Sequence, residues 1–123
     1  MKIVGIVLVL LVALLHLGFL VLEMFYWDHE IGRKIFSMTV QQSKDSMVLA
    51  MNQGLYNGFL SAGLIWGLFS KKIDVIYFFL GCVVVAGIFG AFTAKPTIFF
   101  TQSVPAILAF VAVYLSRDGY LKR

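Results

Sequence analysis

The sequence predicts an all-α, polytopic membrane protein: a compact bundle of four transmembrane helices with a short interfacial segment between the first and second. Three observations carry that expectation. Four long apolar runs cover the chain, Ile3 to Trp27, Met47 to Phe69, Ile73 to Ala94 and Thr97 to Leu115. Each is close to the roughly 17–25 residues that a helix needs to cross the hydrocarbon core. Apolar residues make up 61% of the chain and charged ones 13%, about half the share usual in a soluble domain. None of the runs alternates apolar with polar residues, which excludes a membrane β-barrel. At 123 residues the whole chain, 1–123, is expected to form one transmembrane domain.

The first run follows Lys2 and resembles a signal peptide only at its start. It is longer than a signal core and ends in Met24-Phe25-Tyr26-Trp27 instead of a small-residue cleavage site, so it is expected to stay as a helix. Residues 28–46 form the one substantial connection. Within it Ile31, Ile35 and Met38 repeat at helical spacing, which predicts a short helix lying in the membrane interface. Phe25, Tyr26 and Trp27, with Trp66 towards the other surface, read as interface anchors.

The second and third runs are joined at Lys71-Lys72, and the third and fourth at Lys95-Pro96, with proline suited to a first helical turn. Connections this short make successive helices antiparallel neighbours. Four spans put both termini on one side, with Lys2, Lys71, Lys72, Arg117, Lys122 and Arg123; the other side has Arg33, Lys34, Lys44 and Lys95. The excess of basic residues predicts cytoplasmic termini. The net charge of +4 is thereby explained by topology, and no nucleic-acid partner is expected.

Small residues mark close helix contacts. Gly54, Gly58 and Ala62 recur every fourth residue, as do Gly87 with Ala91 and Gly90 with Ala94. Such stripes let backbones approach in lipid, either within one chain or between copies in a homo-oligomer. Cys82, the sole cysteine, can form no internal disulfide and reads as a packing residue.

Polar residues inside the apolar runs are the functional candidates, because polar groups in hydrocarbon are costly unless partnered. Counting at about 1.5 Å per residue, Glu23 lies roughly 6 Å below the outer surface. Asn52, Gln53, Tyr56 and Asn57 fall near that level on the second span, and Thr101 and Gln102 on the fourth. His16 is seven residues before Glu23, on nearly the same helix face and about 10 Å deeper. Pro105 cannot donate to the carbonyl of Thr101, which frees an acceptor at this depth. Glu23 must be paired, solvated or protonated; Asn52, Gln53, Asn57 and Gln102 can serve as ligand contacts or as hydrogen bonds between helices. Metal spacing motifs, nucleophilic triads and phosphate or dinucleotide loops are absent from the sequence.

The stretches Leu22 to Trp27, Asn52-Gln53-Gly54-Leu55-Tyr56-Asn57-Gly58-Phe59, Gly87-Ile88-Phe89-Gly90-Ala91 and Gln102…Pro105-Ala106 resemble the bacterial membrane proteins grouped as domain of unknown function 1304. The resemblance implies a four-helix protein of the bacterial cell membrane. It implies no activity. From the residues themselves, the first expectation is a polar outer-leaflet pocket that binds or transports a small molecule or ion, with Glu23 as the protonatable group. A membrane-embedded enzyme using Glu23, His16 and Tyr56 on a lipid-like or quinone-like substrate is the alternative. A structural or accessory subunit is the third.

Overall fold

The computed structural model describes residues 2–118, and these are helical without strands. The helices are α1 (Lys2–Phe25), α2 (Glu30–Phe36), α3 (Val40–Phe69), α4 (Ile73–Thr93) and α5 (Val104–Leu115), with a π-helical turn at Phe99–Ser103 leading into α5. By length and composition, α1 and α4 are each able to cross a membrane. The chain forms two contact units. One comprises residues 15–59, and the other residues 1–14 with 60–123.

In the larger unit, four helices converge on an apolar core. Val9, Val12 and Ala13 of α1, Leu64 of α3, Ile76, Leu80 and Val83 of α4, and Ala106, Ala109 and Val113 of α5 are all buried there. The α3–α4 turn is tight: Lys71 is left-handed at φ 55°, and the Lys72 amide reaches back to the Gly67 carbonyl at 3.0 Å. This is a Schellman-type helix ending, which needs a left-handed residue just past the helix. Gly63 lies beneath the ring of Phe79, and Gly67 beneath Ile76, so small residues set the α3–α4 approach.

The π turn sits two residues before Pro105. Proline has no amide hydrogen and its ring crowds the carbonyl one turn back, so the helix widens there. The Val104 amide accordingly bonds to Phe99, five residues behind. The turn packs on α4, where Ser103 Oγ donates to the Val84 carbonyl at 2.9 Å and a side chain on Gly87 would strike Ser103.

In the smaller unit, the connection after α1 is far more ordered than a loop. The short helix expected around Ile31 and Ile35 is α2, and both residues are about half exposed. His29 caps it by accepting the Ile31 amide at 3.2 Å on Nδ1, and Ser37 closes it in a left-handed conformation at φ 53°. Gly32 is buried against the Tyr26 and Trp27 carbonyls, which lets α2 fold back onto the end of α1.

The second long helix begins at Val40, not at Met47 as expected from hydropathy. Its start is set by a capping box. Thr39 Oγ1 accepts the Gln42 amide at 3.1 Å, and Gln42 Oε1 accepts the Thr39 amide at 2.8 Å. Two added polar turns, Val40 to Ser46, therefore replace the tail of the expected connection. They are held to it by side chains: Ser43 Oγ donates to Asp28 at 2.6 Å, Arg33 pairs with the same carboxylate at 2.8 Å, and Trp27 Nε1 donates to Ser46 at 2.9 Å. The Ser43 hydroxyl and the Arg33 guanidinium hold the Asp28 carboxyl below the usual carboxylate range.

Candidate functional site

Within residues 15–59 the C-terminal half of α1 runs against the middle of α3, and glycine makes the approach close. A Cβ on Gly54 would lie 2.6 Å from Met24 Cγ and 3.1 Å from both Glu23 Cβ and the Leu20 carbonyl oxygen. One turn on, Gly58 lies against the Leu20 side chain. Asn57 shares this glycine face, and there it meets Glu23. Asn57 Nδ2 donates to Glu23 Oε2 at 2.8 Å. Both side chains are half buried.

The pair is a carboxyl held by a neutral amide. Among the described residues no lysine or arginine is paired with Glu23. An amide donor suits either protonation state of the oxygen it faces, since a carboxylate and a carboxylic acid both present an acceptor. The arrangement therefore fixes the carboxyl's position without fixing its charge. A group so placed can take up or release a proton, or accept a hydrogen bond or a cation from a ligand.

The other candidates fall in different surroundings. His16 is buried on α1, its ring edge-on to Phe19 at a centroid distance of 5.3 Å. Asn52, Gln53 and Tyr56 are exposed on α3. Asn52 and Tyr56 lie around the helix from Gly54 and Asn57, because 100° per residue puts positions 52 and 57 on different sides. Gln102 belongs to the other unit; half buried in the π turn, its Cβ lies beside Gly87. The depth count thus brings out Glu23 and Asn57 as a contacting pair, while Asn52, Gln53 and Tyr56 share the level but not the contact.

Sequence reasoning missed the Asp28, Arg33 and Ser43 network that anchors α2 beside this pair in the chain. Asp28 and Ser43 are fifteen residues apart in a polar stretch, and their spacing carries no periodic signal. The capping box at Thr39–Gln42 was the legible clue that α3 reaches back far enough to meet Asp28.

A family model described as protein of unknown function (DUF1304) matches residues 10–114. The chain belongs to the DUF1304 family. It is also similar to uncharacterized protein YpaA of Lactococcus lactis subsp. lactis (strain IL1403), 32% identical over 118 residues, a span that takes in 93% of this chain and 99% of YpaA. No solved structure matches. The DUF1304 match encloses both Glu23 and Asn57 and stops within α5.

Proposed function

We propose that this DUF1304 protein is a four-span protein of the bacterial cell membrane whose Glu23–Asn57 pair is a polar outer-leaflet site, binding or moving a small molecule or ion in exchange for a proton on Glu23. The membrane placement draws on surface character. Only 28% of the most apolar stretch of α1 and 22% of that of α4 is buried, so these helices turn apolar side chains outward. Contiguous apolar surface of that kind suits lipid and is rare on soluble monomers. The latter part of α3 and the run from Phe99 to Leu115 supply the remaining two spans, and the basic residues favour cytoplasmic termini.

The hydrogen bond from Asn57 to Glu23, set between two glycines that press α3 onto α1, is the single observation behind the site. A carboxyl in an apolar segment is retained at a cost of a few kilocalories, and such groups mark binding sites and proton relays. In the proposed cycle, a cationic or hydrogen-bond-donating ligand displaces the proton of Glu23, and the proton returns when the ligand leaves. Asn57 holds the carboxyl in place in both states. His16, two turns deeper on α1, is the next titratable side chain along that helix, and at roughly 10 Å it would receive the proton only through intervening water.

The protein reconstituted into liposomes with an internal pH dye tests this. Addition of alkali cations, divalent cations and lipophilic amines in turn should move protons for at least one class, and Glu23→Gln should abolish the movement while preserving the fold. A Glu23→Gln variant that behaves as the wild type would reduce the pair to a hydrogen bond between helices, worth about 0.6 kcal/mol.

A further inference from the structure

The face of α3 turned away from α1 carries its own pattern. Val48, Asn52, Leu55 and Phe59 are spaced four, three and four residues apart, and all four are exposed, Phe59 by 56%. That is the a/d spacing of a helix that packs against another helix. It is distinct from the seam on α1, where Gly54, Asn57 and Gly58 are occupied within the chain. The apolar members alone would suit lipid. Asn52 would not: among the described residues its side-chain amide has no hydrogen-bond partner, and the same holds for the neighbouring Gln53 and for the Tyr56 hydroxyl one turn on.

We infer that this face binds a second copy of the chain, pairing α3 with α3 through Val48, Asn52, Leu55 and Phe59. The inference rests on the membrane reading above, because in water an exposed asparagine needs no partner. The occupant follows from the chemistry of the amide. A primary amide carries donor and acceptor together, so across a two-fold axis the same residue from each copy completes the other, as an isologous contact requires. A single asparagine at an a position is also the device that fixes register and oligomer number in paired helices. The glycine stripe of α3 is already filled by α1, whereas the Asn52 face stays exposed.

Single cysteines at Asn52, Leu55 and Leu49 in a Cys82→Ala background test the pairing in native membranes. Leu49 is the control, exposed on α3 but outside the a/d spacing. Oxidation should cross-link the Asn52→Cys and Leu55→Cys proteins into dimers and leave Leu49→Cys monomeric. In lipid, Asn52→Leu should weaken dimerisation by about 3- to 20-fold, the span of one interhelical hydrogen bond. Equal cross-linking at all three positions, or none at any, overturns the α3 pairing. Labelling of Asn52→Cys by a membrane-impermeant maleimide also overturns it, since the face would then line water. Carbonate extraction of the membranes is scored separately. Release of the protein would refute the membrane reading itself, whereas retention with no dimer refutes only the pairing.

Discussion

Replacing Gly54 by leucine is the sharpest test of the α1–α3 seam, with Gly18→Leu as its control. At Gly54 even a Cβ would meet Met24 Cγ at 2.6 Å, and Glu23 Cβ and the Leu20 carbonyl oxygen at 3.1 Å. The Met24 thioether can swing aside, but the backbone oxygen and the Cβ belong to α1 itself. The helices must separate by a few tenths of an ångström for alanine and by much more for leucine, stretching the Asn57–Glu23 bond. Overpacking of this kind costs about 1–3 kcal/mol and at times more, against a gain of about 1 kcal/mol from removing a helical glycine. At Gly18 nothing lies within 4 Å of the added atom, so only the gain applies. For a domain of this size, a net loss of up to about 2 kcal/mol lowers Tm by up to roughly 10 °C. Thermal unfolding of the purified variants, followed by fluorescence-detected size exclusion, should show that fall for Gly54→Leu and a level or slightly raised Tm for Gly18→Leu. Equal Tm values for the two variants would refute the close seam, and with it the geometry that seats Asn57 on Glu23.

Two further outcomes follow from the connection between α1 and α3 and from the topology. The Asp28 carboxyl is held below its ordinary value, so its stabilising contribution is fully present above the unfolded value of about 3.9 and disappears as pH falls through the lower folded value. Asp28→Asn should therefore have a lower Tm than wild type at neutral pH and the same Tm in strong acid; a gap that persists unchanged into acid would show that Asp28 acts other than through its charge. Single cysteines at Gln41 and Ser70, both exposed, should react with an impermeant reagent from opposite sides of the membrane, Gln41 from outside. Labelling of both from the same side would refute the four-span arrangement.

The membrane-length helices α1 and α4 were legible because hydrocarbon asks one length of every spanning helix, and their apolar runs match that length. The start of α3 was misplaced because hydropathy marks where a segment becomes apolar, while the helix begins where the Thr39–Gln42 box satisfies its first amides. The effect of Pro105 was legible in kind, as a freed acceptor near Thr101, and the structure expresses it as the π turn at Phe99–Ser103. Depth counting set Glu23 and Asn57 near one level, and the structure joins them by a hydrogen bond, but the count treated α3 as a point at each depth. Angular position separates Asn57, which shares the glycine face, from Asn52, which does not. The Asp28–Ser43 contact was illegible for another reason, since it depends on the fold-back of α2 permitted by Gly32.

The central claim is that Glu23 is a protonatable group in an apolar setting, and a hydrophobic carbodiimide tests it most directly. This reagent enters the lipid phase and reacts with protonated carboxyls, leaving an adduct that peptide mass spectrometry can locate. In native membranes the adduct should fall on Glu23, diminish as pH rises, and be absent from Glu23→Gln. A ligand that fills the site should protect Glu23 from reaction. An adduct confined to Asp28, Glu30 or Asp45, with Glu23 unmodified at every pH, would contradict the account.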